Sequence, residues 1–257
     1  MSQSRHNAWF AILLIILVPG LFLLVPLLTS RVVSVTYSGI VQDLVILVVI
    51  EVLNHYLFKM PINWWHAQHG WKQALACLPA IIILLVPKIP SVLKLGQLTF
   101  NPMIFFYAGY ILLIGITEEY IYRGVLLPLL AKALPGRTLL VIILDSLAFG
   151  SMHLINLTGL NLSYVLPQML LAAITGLLLC GVYLKTKNLI LPILIHTFSD
   201  INMIASFMNH THNRTGLAIP GTVSLGISAI AIILFIIVAG FVYWQTRHLN
   251  LNKQFAD

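Results

Sequence analysis

Charge is what this sequence has least of. Only 8% of its 257 residues are Asp, Glu, Lys or Arg, against 60% hydrophobic, and the mean hydropathy is +0.98. A water-soluble domain carries nearer a quarter charged residues. This chain cannot coat a water-facing surface, so lipid must solvate most of it. The same composition excludes intrinsic disorder. Alternation is also lacking. The apolar stretches are unbroken runs and not alternating ten-residue segments, which argues against a transmembrane β-barrel. Cysteine is scarce: Cys77 and Cys180 each sit in an apolar run and read as small packed residues, not a disulfide framework. The formal net charge is +7, yet the basic residues come singly or in pairs. No basic face is large enough to track phosphates, so nucleic acid is not an expected partner. Neither Gly-x-Ser-x-Gly nor His-Glu-x-x-His occurs, so the serine-hydrolase elbow and the usual zinc-protease helix are both missing.

What is present is a series of long apolar runs. Ala8–Thr29 and the uncharged run between Arg214 and Arg247 are the clearest, each filling the roughly 20 residues a crossing helix needs. Ala8–Thr29 exceeds the ~7–15 residue core of a signal peptide and reads as a retained helix. Six more spans are expected at Ile40–Phe58, Lys72–Val92, Phe100–Leu130, Thr138–Leu154, Ser163–Leu184 and Leu189–Met208. The fourth of the eight is too long for one simple crossing, and is expected to span and then continue along the interface, or to kink near Pro128. The expected fold is therefore all-α: a polytopic integral membrane protein of about eight transmembrane helices. Residues 1–104 would form about three N-terminal helices, 105–208 a functional core, and 209–257 the last helix and a cytoplasmic tail.

Eight spans place both ends of the chain on one side. Arg5, Lys59, Lys72, Lys132, Arg137, Lys185, Lys187, Arg247 and Lys253 then share that side, and Arg31, Lys88, Lys94 and Arg214 share the other. The excess marks the termini as cytoplasmic in a cell membrane. Trp64, Trp65 and Trp71, with His66 and His69, fit an interfacial belt on the cytoplasmic side. Asn-x-Ser/Thr triplets at Asn156, Asn161, Asn209 and Asn213 read as chance. No prenylation box ends the chain.

The acidic residues are in unexpected places. Of seven, six fall within apolar segments: Asp43, Glu51, Glu118, Glu119, Asp145 and Asp200. Each would cost about 2.5–3.5 kcal/mol at a lipid-exposed helix centre, so most must face a protein-lined or watery interior. Asp43 is expected near the interface, and Glu51 is expected to pair with His55 one turn away. Asp145 shares a face with His153 and could polarise a water chain, but reads first as structural. Three local patterns stand apart. In Glu118-Glu119-x-x-x-Arg123, the i,i+4 spacing lets Glu119 and Arg123 neutralise each other. Glu118 is turned about 100° away and needs another partner. In Phe149-x-x-x-His153, the ring can pack against the imidazole, and small Gly150 and Ser151 permit close helix approach. In His196-x-x-x-Asp200, both side chains can aim at one point. A carboxylate or imidazole that takes a proton from water, with donors for a developing oxyanion, is what amide hydrolysis requires. No serine or cysteine has an equal setting.

Taken in order on successive membrane helices, the three patterns resemble Glu-Glu-x-x-x-Arg, Phe-x-x-x-His and His-x-x-x-Asn/Asp of the CAAX protease and bacteriocin-processing (CPBP/Abi) family of intramembrane proteases. The resemblance covers about residues 105–208. It implies a peptidase in which Glu118 activates water, His153 shares that water, and His196 and Asp200 stabilise the oxyanion. Glu119 and Arg123 would be a supporting ion pair, with Phe149 packing beside them. The prenyl-protein endopeptidase of the family has Asn where this chain has Asp200; an ionised Asp cannot donate to an oxyanion. The implied substrate is a membrane-associated peptide or protein, such as a lipidated protein or a bacteriocin-related peptide, and no cofactor is expected. Two alternatives stand beside this reading. Glu118, His153, His196 and Asp200 could instead ligate zinc. Alternatively, the chain could be a non-proteolytic immunity or interaction protein. A carrier would favour repeated halves, and none is found.

Overall fold

In a medium without water, every backbone N–H and C=O must pair within its own segment, and long apolar runs meet that demand as helices. The computed structural model describes residues 3–67, 69–96, 101–208 and 218–255. Its helices are α1 (Gln3–Thr29), α2 (Val35–Leu53), α3 (Gly70–Ala80), α4 (Ile89–Gly96), α5 (Met103–Glu119), α6 (Leu127–Ala133), α7 (Thr138–Ser151), α8 (Leu162–Thr186), α9 (Ile190–Ser199), α10 (Asn202–Met208), α11 (Gly221–Thr246) and α12 (Leu251–Gln254). No strand occurs among the described residues. Phe100, the Asn209 and Asn213 triplets, Arg214 and the residues after Phe255 lie outside them.

Seven stretches are long and apolar enough to cross a membrane: Gln3–Thr29, Val35–Phe58, Gly70–Gly96, Met103–Ala133, Thr138–Thr158, Leu162–Thr186 and Gly221–Thr246. The chain is thus an all-α, multi-pass membrane protein. An eighth crossing would be α9 with α10, which meet at a 52° bend. Contacts elsewhere decide that this pair does traverse the bundle. The Ile219 N–H donates to Ser163 Oγ at 3.3 Å, a Cβ on Gly181 would touch Val242 at 3.1 Å, and Lys185 Nζ lies 3.5 Å from Gln245 Oε1. Three successive levels of α8 therefore meet three successive levels of α11, so the two helices run parallel. The chain between two parallel neighbours must return across the bundle, and α9–α10 is that return. Ile190 N–H meets the Trp64 carbonyl at one end, and Phe207 packs on Tyr107 near the start of α5 at the other.

The long fourth span is not broken at Pro128. From Met103 to Ala133 it runs through a π-helical stretch, Tyr120–Leu126, in which the Leu127 N–H reaches back five residues to the Tyr122 carbonyl. Pro128, the second residue of α6, has no N–H for the Gly124 carbonyl an α-register would pair with it. A wider turn just before the proline re-registers the backbone without a break. The same device recurs at Ile81–Leu85, two residues before Pro87.

Both ends of the described chain lie at one end of the bundle. Ser4 Oγ donates to the Ala133 carbonyl, Gln254 Nε2 donates to the Leu184 carbonyl, and Phe255 stacks on Tyr183. Trp64, Trp65 and Trp71 are exposed, as a belt requires. Cys77 and Cys180 are free and buried. Asp43 departs from expectation. It is 4% exposed and lies inside the bundle, not at an interface. Its place on α2, eight residues past the helix start, puts it about two turns deep.

Candidate active site

The site is built where α5 and α9 touch. Helices come this close only where a small residue removes a side chain, and Gly115 does so one turn before the glutamates. A Cβ there would lie 2.6 Å from Thr197 Oγ1 and 3.2 Å from the Ile193 carbonyl. With α9 drawn in, the helical spacing carries Glu118 and Glu119 to His196. Their 100° separation, which sends them apart on an isolated helix, here lets them straddle one imidazole. Glu119 Oε1 is 2.9 Å from His196 Nδ1, and Glu118 Oε2 is 3.7 Å from Nε2. Asp200, one turn on, places Oδ2 3.5 Å from the same Nε2. Ser199 Oγ donates to the His196 carbonyl and approaches Asp200 Oδ1 at 3.5 Å, where α9 ends.

Behind the imidazole the polar groups continue inward. Arg123 Nη1 donates to Glu119 Oε1 at 3.2 Å, so one carboxylate oxygen serves both the guanidinium and His196. Arg123 Nη2 donates to the Gly176 carbonyl of α8 at 2.8 Å, and its Nε lies 3.7 Å from Asp145 Oδ2 of α7. Gly176 is the second enforced glycine: a Cβ would press on Ser146, Phe149 and Arg123 at 3.2–3.3 Å. Glu119, Arg123 and Asp145 have no solvent exposure, whereas the Glu118 and Asp200 side chains are 12% and 30% exposed. Exposure along the column rises from none at Asp145 to 30% at the Asp200 side chain.

Phe149 holds the two imidazoles apart. Its ring meets His153 edge-on at 6.3 Å between centroids and His196 at 5.6 Å, while the Arg123 guanidinium carbon lies 4.6 Å from its centroid. His153 begins the second residue of a 3₁₀ stretch, Met152–Thr158, that continues α7. No hydrogen bond joins His153 to Glu118 in the structure. As expected from Gly150, α7 and α8 touch there: a Cβ would lie 2.6 Å from the Met169 carbonyl.

The structure thus gathers Glu118, Glu119, Arg123, Phe149, His153, His196 and Asp200 into one region. Three features escape a reading of the sequence. Glu119 is no mere partner of Arg123 but also the acceptor beside His196. Asp145 faces Arg123 and not His153. Glu51 meets the Tyr120 hydroxyl instead of His55, and Asn54 joins them at 3.2 Å while clamping the Met60 backbone through 3.0 and 2.9 Å bonds. Their charge inside apolar segments singles out Glu51, Glu119, Asp145 and His196, but the contacts join α2, α7 and α9 to the Met103–Ala133 span, and no spacing along one helix reports them. Among the described residues, no group of three His, Cys, Asp or Glu side chains is arranged to hold a metal ion.

Residues 100–202 match the family model described as Type II CAAX prenyl endopeptidase Rce1-like. Residues 100–202 carry an Rce1-like domain. All three sequence patterns fall inside it, and so does Asp145, while α1–α4 and α11–α12 lie outside. No curated protein and no solved structure matches the chain. The family supports a CAAX-type intramembrane protease, a hydrolase acting in the membrane.

Proposed function

We propose that the chain is an intramembrane endopeptidase in which Glu118 is the general base. Glu118 takes a proton from a water lying between it and His153, the water oxygen attacks the scissile carbonyl, and the C–N bond then breaks with the proton passing to the leaving amine. The oxyanion that forms would accept from His196 Nε2, beside Asp200. For Nε2 to donate while Nδ1 donates to Glu119, both ring nitrogens must carry protons. Carboxylate acceptors stand beside each of them, as that form requires. The observation that carries this reading is the convergence of Glu118, His196 and Asp200 around one nitrogen in an otherwise buried interior. The substrate would be a membrane-associated peptide or protein, of the lipidated or bacteriocin-related kind.

The reading uses no metal. His196 Nδ1 is taken by Glu119, and the one remaining nitrogen already faces two carboxylates. Purified protein in liposomes should cleave a lipidated C-a-a-X peptide or a bacteriocin-type peptide, and cleavage should survive a strong chelator. Glu118→Gln should keep its thermal transition and lose activity about 100- to 10,000-fold. Full activity in Glu118→Gln would move the base elsewhere. Chelator-sensitive cleavage restored by added zinc would instead favour a ligand role for the same residues.

A further inference from the structure

Asp145 is the one charged residue of this column that no sequence pattern includes. It has no exposure, and both of its oxygens lack a hydrogen-bond donor. The Arg123 Nε–H, 3.7 Å away, likewise lacks an acceptor. A carboxylate kept solely to brace the bundle would close that gap, because a buried ion pair without bonds is destabilising relative to a packed apolar pair. Charge at a distance is what remains for it to contribute. Arg123 is shared: Nη1 bonds Glu119, Nη2 bonds the Gly176 carbonyl, and Nε faces Asp145. The Glu119 oxygen it bonds is also the one beside His196 Nδ1.

We propose that Asp145 is a positioning residue of the site, holding part of the Arg123 charge away from Glu119 so that Glu119 retains its bond to the His196 Nδ1–H. This rests on the endopeptidase reading only for its consequence on turnover. An Arg123 paired with Glu119 alone would draw Oε1 toward the guanidinium and away from the imidazole. The Nδ1–H bond sets the ring's orientation, and with it the direction in which Nε2 faces the site. Asp145 would thus act on the oxyanion end through two intermediaries, across α7, α5 and α9. Other groups face the same atoms and stay in place. Around His196 these are Glu118, Asp200 and, across Phe149, His153; beside Arg123 it is Tyr122, whose ring centroid lies 6.0 Å from the guanidinium carbon.

The test reads the imidazole directly. An Nδ1–H donated to a carboxylate gives a far-downfield proton resonance, which in micelles is assigned by its loss in His196→Gln. Asp145→Asn, nearly the same shape, should keep the thermal transition and move that resonance upfield. It should also lower kcat roughly 10- to 100-fold with KM unchanged, the effect of a small misplacement. Asp145→Ser serves as a second variant should the Asn form not fold. A resonance that does not move overturns the proposal whatever the activity. Failure of both variants to fold overturns it too, by making Asp145 a brace. A resonance that moves in Asp145→Asn, with a wild-type protein that cleaves neither peptide, leaves the proposal standing and removes the endopeptidase reading instead.

Discussion

Glu118 and Glu119 are neighbours in sequence and opposites in setting. Glu119 is dry, shares one oxygen between Arg123 and His196, and leaves its other oxygen without a donor. Removing it strands a guanidinium in the membrane interior, a loss of about 3–5 kcal/mol for a buried pair. Glu119→Ala should therefore lower the thermal transition markedly in detergent, and Arg123→Ala should match it. Glu118→Ala should shift it far less, because Glu118 is partly exposed and its approach to His196 is no closer than 3.7 Å. Equal destabilisation by both glutamates would remove the division of roles. Asp200→Asn separates chemistry at the other end. Asn keeps the shape and adds a donor, so turnover should hold or rise if the site stabilises an oxyanion; a zinc ligand set would weaken. Helical spacing alone made Glu119–Arg123, Phe149–His153 and His196–Asp200 readable as pairs. The Glu119–His196 bond spans 77 residues, and nothing local encodes it.

At the scale of elements, position depends on where helices can touch. The apolar runs announce where the spans lie, with ends that differ by up to about six residues, because lipid demands length and low charge. Their interruptions are harder to read. Pro128 suggests a kink, yet the helix absorbs it in the Tyr120–Leu126 π turn, which holds Arg123 in register for Glu119. The true bend follows Asp200, at the junction of α9 and α10, where no proline or glycine stands. Close approach is concealed for a similar reason: Gly115 lies inside an apolar run and looks like any other membrane glycine. Its absent side chain is what seats α9. Gly115→Val should push Thr197 and the Ile193 backbone outward, costing about 1–3 kcal/mol of stability. It should also abolish cleavage by separating Glu118 from His196. Gly109→Val, on the same helix with open space around its Cα, is the control and should leave both unchanged. Equal loss in the two would show that helix propensity, and not the α5–α9 contact, was being measured.

For the molecule as a whole, the number of crossings decides on which sides of the membrane its loops stand. Hydropathy counts seven spans, or eight with the bent pair. The parallel course of α8 and α11 selects eight, and eight brings both ends of the described chain together, as Ser4 on Ala133 and Gln254 on Leu184 also require. The basic residues then add direction, and from their excess we propose that the termini face the cytoplasm. Cys77 and Cys180 are 4% and 0% exposed, so single cysteines can be introduced on a quiet background. Val32, in the turn between α1 and α2, is 83% exposed, and Lys253 is exposed on α12. A membrane-impermeant maleimide should label Val32→Cys in intact cells and Lys253→Cys only after permeabilisation. Labelling of both from one side would break the eight-crossing topology and with it the return path of α9–α10. Labelling with the two sides exchanged would keep the crossings and invert the orientation, and the excess of Lys and Arg at the termini would then mark the outer face.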